Sequence, residues 1–151
     1  MENSMQFTVK TRSQTEMIDI TASVQDAVRK SGLAQGLCFI FVPHTTAAVT
    51  INESADPSVK SDILKVINKV IPWEAGYQHM EGNSPAHIKS TLVGASELIA
   101  IEKARLVLGT WQGVFFCEFD GPRTRKVNIN FLSSGKGEHL PDERKLYTAA
   151  S

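Results

Sequence analysis

The chain is organised around one stretch, Gly109-Thr-Trp-Gln-Gly-Val-Phe-Phe-Cys-Glu-Phe-Asp-Gly-Pro-Arg123. Its middle, residues 113–120, is rich in aromatic and branched side chains, has no helical period and lies between glycines, which predicts a β-strand. Because side chains alternate across a strand, one face carries the carboxylates of Glu118 and Asp120 after two apolar residues, and the other face is apolar. The strand is therefore expected to carry two acids from a core face to its C-terminal end. The alternative, an edge strand whose last acids are solvated before the Gly-Pro turn, fits the pattern equally well.

The composition is that of one soluble globular domain. The chain has 151 residues, of which 42% are hydrophobic and 21% are charged, enough for a sizeable core. Sixteen basic residues balance sixteen acidic ones, so no overall field attracts nucleic acid or an anionic membrane. We find no apolar run of membrane-spanning length and no signal-peptide pattern, and therefore expect a cytoplasmic protein. Cys38 and Cys117 lie in apolar runs and are expected to be buried free thiols.

Apolar periodicity predicts three helices and about eight strands in mixed order, which indicates an α+β domain. The helices are predicted from Thr21 or Ser23 to Lys30, from Asp56-Pro57 to Pro72, and from Ser84-Pro85 to near Gly94. The strands are predicted at residues 7–11, 17–21, 37–42, 47–51, 98–101, 105–108, 113–120 and 126–132. We expect the first two strands, and likewise the third and fourth, to form antiparallel pairs. Residues 1–133 are expected to form one domain, and residues 134–151 a tail that is flexible or draped over a partner.

Three of the four histidines are predicted to lie in loops or at the starts of elements, beside hydroxyl, amide and carboxyl groups. These are His44, His79 and His87, whereas His139 falls in the predicted tail. Neutral imidazoles are common ligands of zinc and related metals, and three of them with one open position form a catalytic arrangement. The alternative is that each histidine donates to a carbonyl at a local turn or cap. The spacing matches no known zinc-binding helix, so the pattern leaves both hypotheses open.

Several side chains are suited to clamping a phosphate group. They are the cations Arg123, Lys89 and Arg125 and the hydroxyls of Thr45 and Thr46, near the predicted helix start at Pro85. The chain has no Gly-rich phosphate loop, which argues against nucleotide folds of that kind. It also has no nucleophile elbow, and both cysteines are expected to be buried, which argues against Ser or Cys nucleophilic catalysis.

Further polar groups lie at the ends of predicted strands. His44-Thr45-Thr46 follows the third strand, and Asn52-Glu53-Ser54 follows the fourth. If these strands are antiparallel, the two clusters lie at opposite ends of the pair unless another subunit brings them together. Gln112 and Arg123 bracket the central strand, and Asn83 ends a loop rich in functional side chains.

Four sets of motifs stand out together: Pro43-His-Thr-Thr-Ala-Ala, Asn52-Glu-Ser, His79-x-x-x-Asn83 with His87, and Gly109-Thr-Trp-Gln-Gly with Cys117-Glu-Phe-Asp-Gly-Pro-Arg123. Taken together, they closely resemble the motifs of the YjbQ-like family, which is often labelled secondary thiamine-phosphate synthase. The resemblance spans residues 5 to about 133. It implies a β-sandwich of mixed sheets with helices, assembled as a homotrimer, with a cleft lined by the histidines and by the Glu-Phe-Asp-Gly-Pro-Arg segment. The implied activity is a weak joining of a pyrimidine pyrophosphate to a thiazole phosphate, and the principal substrate stays open.

The residues and the resemblance together give a candidate site. The candidate catalytic residues are Asp120, Glu118, His44, Arg123 and Glu53. The candidate residues for binding a phosphate-bearing small molecule are Thr45, Thr46, Asn52, Asn83, Lys89 and Gln112. The candidate ligands of a divalent metal are His44, His79 and His87, for zinc or another transition metal, or for magnesium if the site performs pyrophosphate chemistry.

Two hypotheses about function remain after the sequence analysis. A three-histidine site is unusual for magnesium, which prefers oxygen ligands, so such a site would favour a phosphate-handling or hydrolytic reaction that uses a transition metal. The other hypothesis is a trimeric module that binds a small anion or a partner protein without significant turnover. The gathering of polar residues at the ends of elements favours a site-bearing protein under either hypothesis.

Overall fold

The computed structural model of the protein describes residues 3–133. The strands there are β1 (Ser4–Lys10), β2 (Glu16–Asp19), β3 (Gln35–Phe41), β4 (Ala47–Glu53), β5 (Ser96–Glu102), β6 (Arg105–Leu106), β7 (Gln112–Glu118) and β8 (Thr124–Ser133). The helices are α1 (Thr21–Ser31), α2 (Pro57–Val70) and α3 (Ser84–Val93). The predicted α+β class is confirmed. The predicted tail at 134–151 lies outside the described residues.

Two antiparallel sheets form the fold. One has five strands in the order β1-β8-β3-β5-β6, and the other has three in the order β2-β7-β4. The predicted pairing of β1 with β2, and of β3 with β4, is wrong because the members of each pair lie in different sheets. The connections at 11–15 and 42–46 lack the two-residue glycine turns that close tight hairpins, and each one crosses between the sheets. The fold is therefore a sandwich rather than a row of hairpins.

The main core lies between the two sheets and includes the inner face of α1, and a second core lies beneath α2 and α3. The alternation predicted for β7 is confirmed, since Val114 and Phe116 belong to the main core while Phe115, Cys117 and Phe119 belong to the second. The edge-strand alternative is wrong, because β7 pairs with β2 on one side and with β4 on the other. Both cysteines are buried free thiols, as predicted, and burial raises the pKa of each to about 12.

The helices begin and end largely where the sequence predicts. Asp56 caps α2 by accepting the Ser58 N–H at 2.8 Å, with Pro57 at the first helical position. Gly32 ends α1 in the left-handed conformation, at φ 71°. The helical period of the apolar residues in α2 predicts that Val66 and Val70 face the sheet, but they are 57% and 71% exposed, and no residue of α2 is fully buried. Among the described residues, no helix is long and apolar enough to cross a bilayer.

A charged pair lies inside the sandwich, where β7 and β8 meet. Glu118 is fully buried and Arg125 is 5% exposed. The Arg125 guanidinium donates from Nε to Glu118 Oε2 at 2.7 Å and from Nη2 to Oε1 at 3.1 Å. Nη2 also donates to Thr46 Oγ1 at 2.8 Å. Burial raises the pKa of Glu118, and Arg125 opposes that rise through its hydrogen bonds and charge. The pair joins the starts of β4 and β8 to the end of β7.

Removing one member of this pair should destabilise the fold strongly. In Glu118→Gln the Arg125 charge stays buried without a counter-charge, which we expect to cost about 3–5 kcal/mol of unfolding free energy. The double variant Glu118→Leu/Arg125→Met removes both charges and should cost much less. Urea denaturation at one fixed protein concentration would measure both. A single variant no less stable than the double variant would contradict the assignment.

The β5–β6 hairpin is closed by two non-glycine residues in the left-handed region. Lys103 has φ 51° and Ala104 has φ 58°, between the paired residues Glu102 and Arg105. Asn-Gly is the pair that suits such a turn, because glycine carries no steric penalty there. We expect Lys103→Asn/Ala104→Gly to stabilise the protein by about 1 kcal/mol, read as a rise in Tm of about 3 °C. The matched control Ala100→Gly, within a strand, should lower Tm, and a fall in both would refute the strain argument.

Candidate functional site

Asp120 is the centre of the polar cluster that follows β7. Its side chain is 15% exposed. Oδ2 accepts hydrogen bonds from Asn83 Nδ2 at 3.1 Å and from Arg123 Nη2 at 2.9 Å. Burial opposes ionisation of Asp120, but these hydrogen bonds and the charges of Arg123 and Arg125 outweigh burial and lower its pKa. Asp120 is therefore a carboxylate at neutral pH. Both donors bind Oδ2, so Oδ1 accepts no hydrogen bond from residues 3–133.

The turn that carries Asp120 and Arg123 is held rigidly. Arg123 Nε donates back to the Asp120 carbonyl at 2.8 Å. The Thr11 hydroxyl accepts the Arg123 N–H at 2.7 Å and donates to the Arg123 carbonyl at 3.1 Å. Gly121 is required for packing, because a Cβ there would lie 2.2 Å from the Ser13 carbonyl oxygen and 2.8 Å from Glu118 Cγ. The guanidinium of Arg123, whose side chain is 53% exposed, is thus presented to solvent from a fixed backbone.

Asn83 joins the turn to the start of α3. It is 8% exposed, and its Nδ2 is bonded to Asp120. Its Oδ1 is buried and has no hydrogen-bond partner among the described residues. The ionised carboxylate fixes the orientation of the amide, because a flipped amide would place Oδ1 against Oδ2. Asn83 was predicted to bind substrate, and the structure places it directly against the central carboxylate.

Two of the three predicted metal ligands lie together beside Asn83. The rings of His79 and His87 meet edge to face, with centroids 5.3 Å apart. They line an open cavity of about 380 Å³ with Tyr77, Gln78, Ser84 and Ile88. The backbone N–H of His87 donates to the Asn83 carbonyl at 3.4 Å, which keeps the cavity next to the buried amide. Asn83 therefore contacts the Asp120 turn through its side chain and the first turn of α3, which carries His87, through its backbone carbonyl.

His44 is engaged elsewhere. The β3–β8 ladder ends at the pair Phe41 and Asn128, and His44 Nε2 accepts the N–H of Lys126 at 2.8 Å beyond that end. Burial and the Arg125 charge lower the pKa of His44, so it is neutral with the proton on Nδ1. A nitrogen that accepts a backbone N–H cannot also ligate a metal. The predicted alternative of donation to a carbonyl is also not what His44 does, since here it accepts.

The predicted three-histidine metal site does not fit this chain taken alone. Within residues 3–133, no three His, Cys, Asp or Glu side chains are grouped so that they could hold one ion. His79 and His87 are adjacent, but the third predicted ligand, His44, accepts the Lys126 N–H instead.

The remaining predicted residues near β7 support the site rather than face it. Glu118 was predicted to be catalytic, but it is fully buried and its carboxylate is bonded to Arg125. Thr46 was predicted to bind substrate, but it is 5% exposed and bonded to the same guanidinium. Thr45 is exposed beside them. Lys89 is buried, and its Nζ donates to Asn68 Oδ1 at 2.7 Å, so its charge serves the contact between α3 and α2. Burial lowers the pKa of Lys89.

Three predicted site residues lie at the opposite end of the β4–β7 pair. Glu53 pairs with Gln112, whereas Ala47 pairs with Glu118 at the other end. Six residues of strand separate these ends, about 20 Å at the usual rise per residue. Asn52 Oδ1 accepts the neighbouring Glu53 N–H at 2.8 Å, and Gln112 Oε1 accepts the Gly109 N–H at 2.8 Å. The expectation that His44 and Glu53 lie apart within one chain is confirmed, although the reason is the β4–β7 register rather than a β3–β4 hairpin.

One supporting residue, Thr11, has no signal in the sequence. Its hydroxyl bonds both backbone groups of Arg123 across the turn. In the sequence it is simply the last residue of an alternating run, and no local pattern reveals a contact 112 positions away.

Comparison with known proteins agrees with this fold and with the motifs that line the site. Residues 5–134 match the family model described as UPF0047 protein YjbQ-like. The chain is 52% identical over 125 residues to UPF0047 protein YugU of Bacillus subtilis, covering 82% of this chain and 95% of that protein. It is 48% identical over 126 residues to a UPF0047 protein of Methanocaldococcus jannaschii, covering 83% of this chain and 91% of the relative.

Solved structures show the same relationship. A crystal structure from Clostridium acetobutylicum, described as an uncharacterized conserved protein of the yjbq/upf0047 family, superposes with a TM-score of 0.83 at 51% identity, covering 85% of this chain and 99% of that one. A YbjQ-like protein of unknown function from Sulfolobus solfataricus gives a TM-score of 0.83 at 36% identity, covering 86% and 96% of the two chains. The chain with the Asp120 turn and the paired histidines thus belongs to the YjbQ-like UPF0047 family.

Proposed function

We propose that the protein is an enzyme acting on a small phosphate-bearing molecule at the surface formed by Asp120, Arg123, Asn83, His79 and His87. The observation that carries this proposal is the geometry at Asp120. A carboxylate with a lowered pKa is held by two donors on one oxygen, and one of these donors is a largely exposed guanidinium. The other donor, Asn83, precedes the helix whose first turn carries His87, one of the two imidazoles that line a cavity. The carboxylate can contact a cationic group, the guanidinium can contact an anionic group, and the imidazoles can exchange a proton.

The charges suit departure of a pyrophosphate from a carbon that becomes positively charged. When a pyrimidine pyrophosphate reacts with a thiazole phosphate, the carbon–oxygen bond to pyrophosphate breaks and a bond from that carbon to the thiazole nitrogen forms. Positive charge develops on the pyrimidine methylene group, and negative charge develops on the leaving oxygens. In the proposal, Asp120 stabilises the first and Arg123 the second. The histidine pair supplies hydrogen-bond donors for the departing group.

The lowered pKa of Asp120 determines which role it takes. A general acid or base works best when its pKa lies near the operating pH, and acids with that task usually have raised values. Asp120 is shifted the other way. The proposal therefore gives it an electrostatic role rather than proton transfer, which is the role that a developing cation requires.

Binding without turnover is the second candidate function, and the same observation favours it. An ionised aspartate beside an exposed arginine can orient a phosphate-bearing ligand without any group poised to move a proton. The protein is then a small-anion binding module, and the cavity of about 380 Å³ beside His79 and His87 holds the rest of the ligand.

Association into a homotrimer also belongs to the proposal. Apolar side chains remain exposed on the outer face of the five-stranded sheet, namely Leu37, Phe41, Leu98 and Leu132, at 37–56% exposure. A contiguous apolar face of this kind is typical of an association surface. Assembly would also offer a route for the Glu53 end of one chain to meet the Asp120 end of another, which one chain cannot achieve by itself.

Replacement of Asp120 distinguishes the two proposed functions, an enzyme and a binding module. With pyrimidine pyrophosphate and thiazole phosphate as substrates, we expect Asp120→Asn to lower the turnover rate by about 10²-fold or more, because the charge that stabilises the cation is gone. Inorganic pyrophosphate should still bind, since Arg123 is retained, and Arg123→Gln should weaken that binding. The matched control Asp26→Asn, on the exposed side of α1, should leave both unchanged. Equal rates for Asp120→Asn and wild type, with pyrophosphate binding intact, would exclude the enzyme and leave the binding module.

The state of His44 can be tested separately from activity. Since its Nε2 accepts the Lys126 N–H, ¹⁵N NMR should show the Nδ1–H tautomer and a titration midpoint below the usual 6.5. Added Zn²⁺ should perturb the resonances of His79 and His87 and leave those of His44 unchanged. Zinc-dependent shifts of all three imidazoles, lost together in His44→Ala, would restore the three-histidine site.

A further inference from the structure

A second cavity lies beneath the helices, on the face of the three-stranded sheet that points away from the main core. Its volume is about 280 Å³. Met17, Cys117 and Phe119 form its floor, and Ile67 of α2 and Val93 of α3 line its roof. The three floor residues are at most 4% exposed, so the floor is a fixed part of the second core.

The cavity lies where α2 covers the sheet only in part. Ile63, Leu64 and Ile67 face the second core, but none of the 14 residues of α2 is fully buried. The cavity opens to solvent at Leu92, which is 69% exposed, so it is a cleft between the helices and the sheet and not an enclosed void. A helix with an apolar inner face and a space of this size beneath it leaves room for another apolar group.

Polar contacts hold the roof in place. Lys89 of α3 is 2% exposed, and its Nζ donates to Asn68 Oδ1 of α2 at 2.7 Å while lying 5.9 Å from the centroid of the Trp73 ring. Ser90 Oγ donates to the Ala47 carbonyl at 2.7 Å, which fixes α3 to β4. Burial of a lysine side chain costs free energy, and the hydrogen bond to Asn68 offsets part of that cost. This arrangement keeps the two helices at a set separation over the sheet.

One end of the cavity is polar. Thr50 and Asn52 of β4 line it, both on the strand face that points to the second core. Asn52 Oδ1 accepts the Glu53 N–H, so its Nδ2 remains available as a donor. A mainly apolar cavity with a few polar groups at one end is typical of small-molecule sites.

We propose that this cavity binds a small apolar molecule, about the size of a bicyclic aromatic, with one hydroxyl or carbonyl group that contacts Thr50 and Asn52. A cavity of about 150 Å³ lined by apolar residues admits benzene, which sets the scale. The cavity is distinct from the Asp120 site, because it lies at the C-terminal end of α3 whereas His87 lies in the first turn. The proposal does not depend on the proposed function, and either can fail without the other.

The experiment uses 2-naphthol and naphthalene as probes, measured by fluorescence and calorimetry on the full-length protein. We expect saturable binding of one 2-naphthol per chain. Leu92→Trp should weaken binding at least tenfold by closing the mouth, and because Leu92 is 69% exposed, this change does not threaten folding. Val66→Trp, on the outer side of α2 at 57% exposure, is the matched control and should bind normally. Thr50→Val should weaken 2-naphthol about fivefold and leave naphthalene unaffected.

Three outcomes would overturn the proposal. The first is the absence of saturable binding of either probe to the folded wild-type protein. The second is equal binding to Leu92→Trp and Val66→Trp, which would place the probe elsewhere. The third is binding that appears only at dilutions where the chain dissociates, which would mean that a second copy of the chain fills the cavity.

Discussion

The buried pair of Glu118 and Arg125 is the interaction on which the site depends. Two opposite charges inside a sandwich are tolerable only when each is hydrogen-bonded, and here the guanidinium contacts both carboxylate oxygens and Thr46. Those contacts tie together the end of β7, the start of β4 and the start of β8. Asp120 and Arg123 lie in the turn between Glu118 and Arg125. The position of the turn is therefore set by the pair beneath it.

The same structure separates charges that stabilise the fold from charges that can meet a ligand. Glu118, Arg125 and Lys89 are buried and bonded within the protein. Asp120 and Arg123 lie in the turn between Glu118 and Arg125 and are partly exposed. Asn83 donates from its amide nitrogen to Asp120, and its amide oxygen is buried without a partner among the described residues. The electrostatic role proposed for Asp120 follows from this environment, since its donors keep it ionised.

The two cavities differ in chemistry because they lie at the two ends of α3. At the N-terminal end the backbone loop brings together imidazole, amide and hydroxyl groups beside a carboxylate. At the C-terminal end, Leu92 and Val93 face α2 across an apolar space. Short polar bonds at Lys89 and Ser90 fix the helix between them. One helix thus positions a charged surface and an apolar cavity without either depending on the other.

The sequence by itself determined the positions of the elements and the two faces of β7. Local signals such as Asp56-Pro57, Gly32 and the alternation in 113–120 act over a few residues, and each is found in the structure. It also identified Asp120, Arg123, Asn83, His79 and His87 as candidates, since polar side chains at the ends of apolar elements stand out. What only the tertiary structure decided was which of these meet. Glu118 and Thr46 accept hydrogen bonds from Arg125, and His44 accepts the Lys126 N–H. The β4–β7 register places Glu53 about 20 Å from the Glu118 end of the pair. The contacts of Thr46 with Arg125 and of His44 with Lys126 join residues 79 and 82 positions apart, which no local pattern encodes.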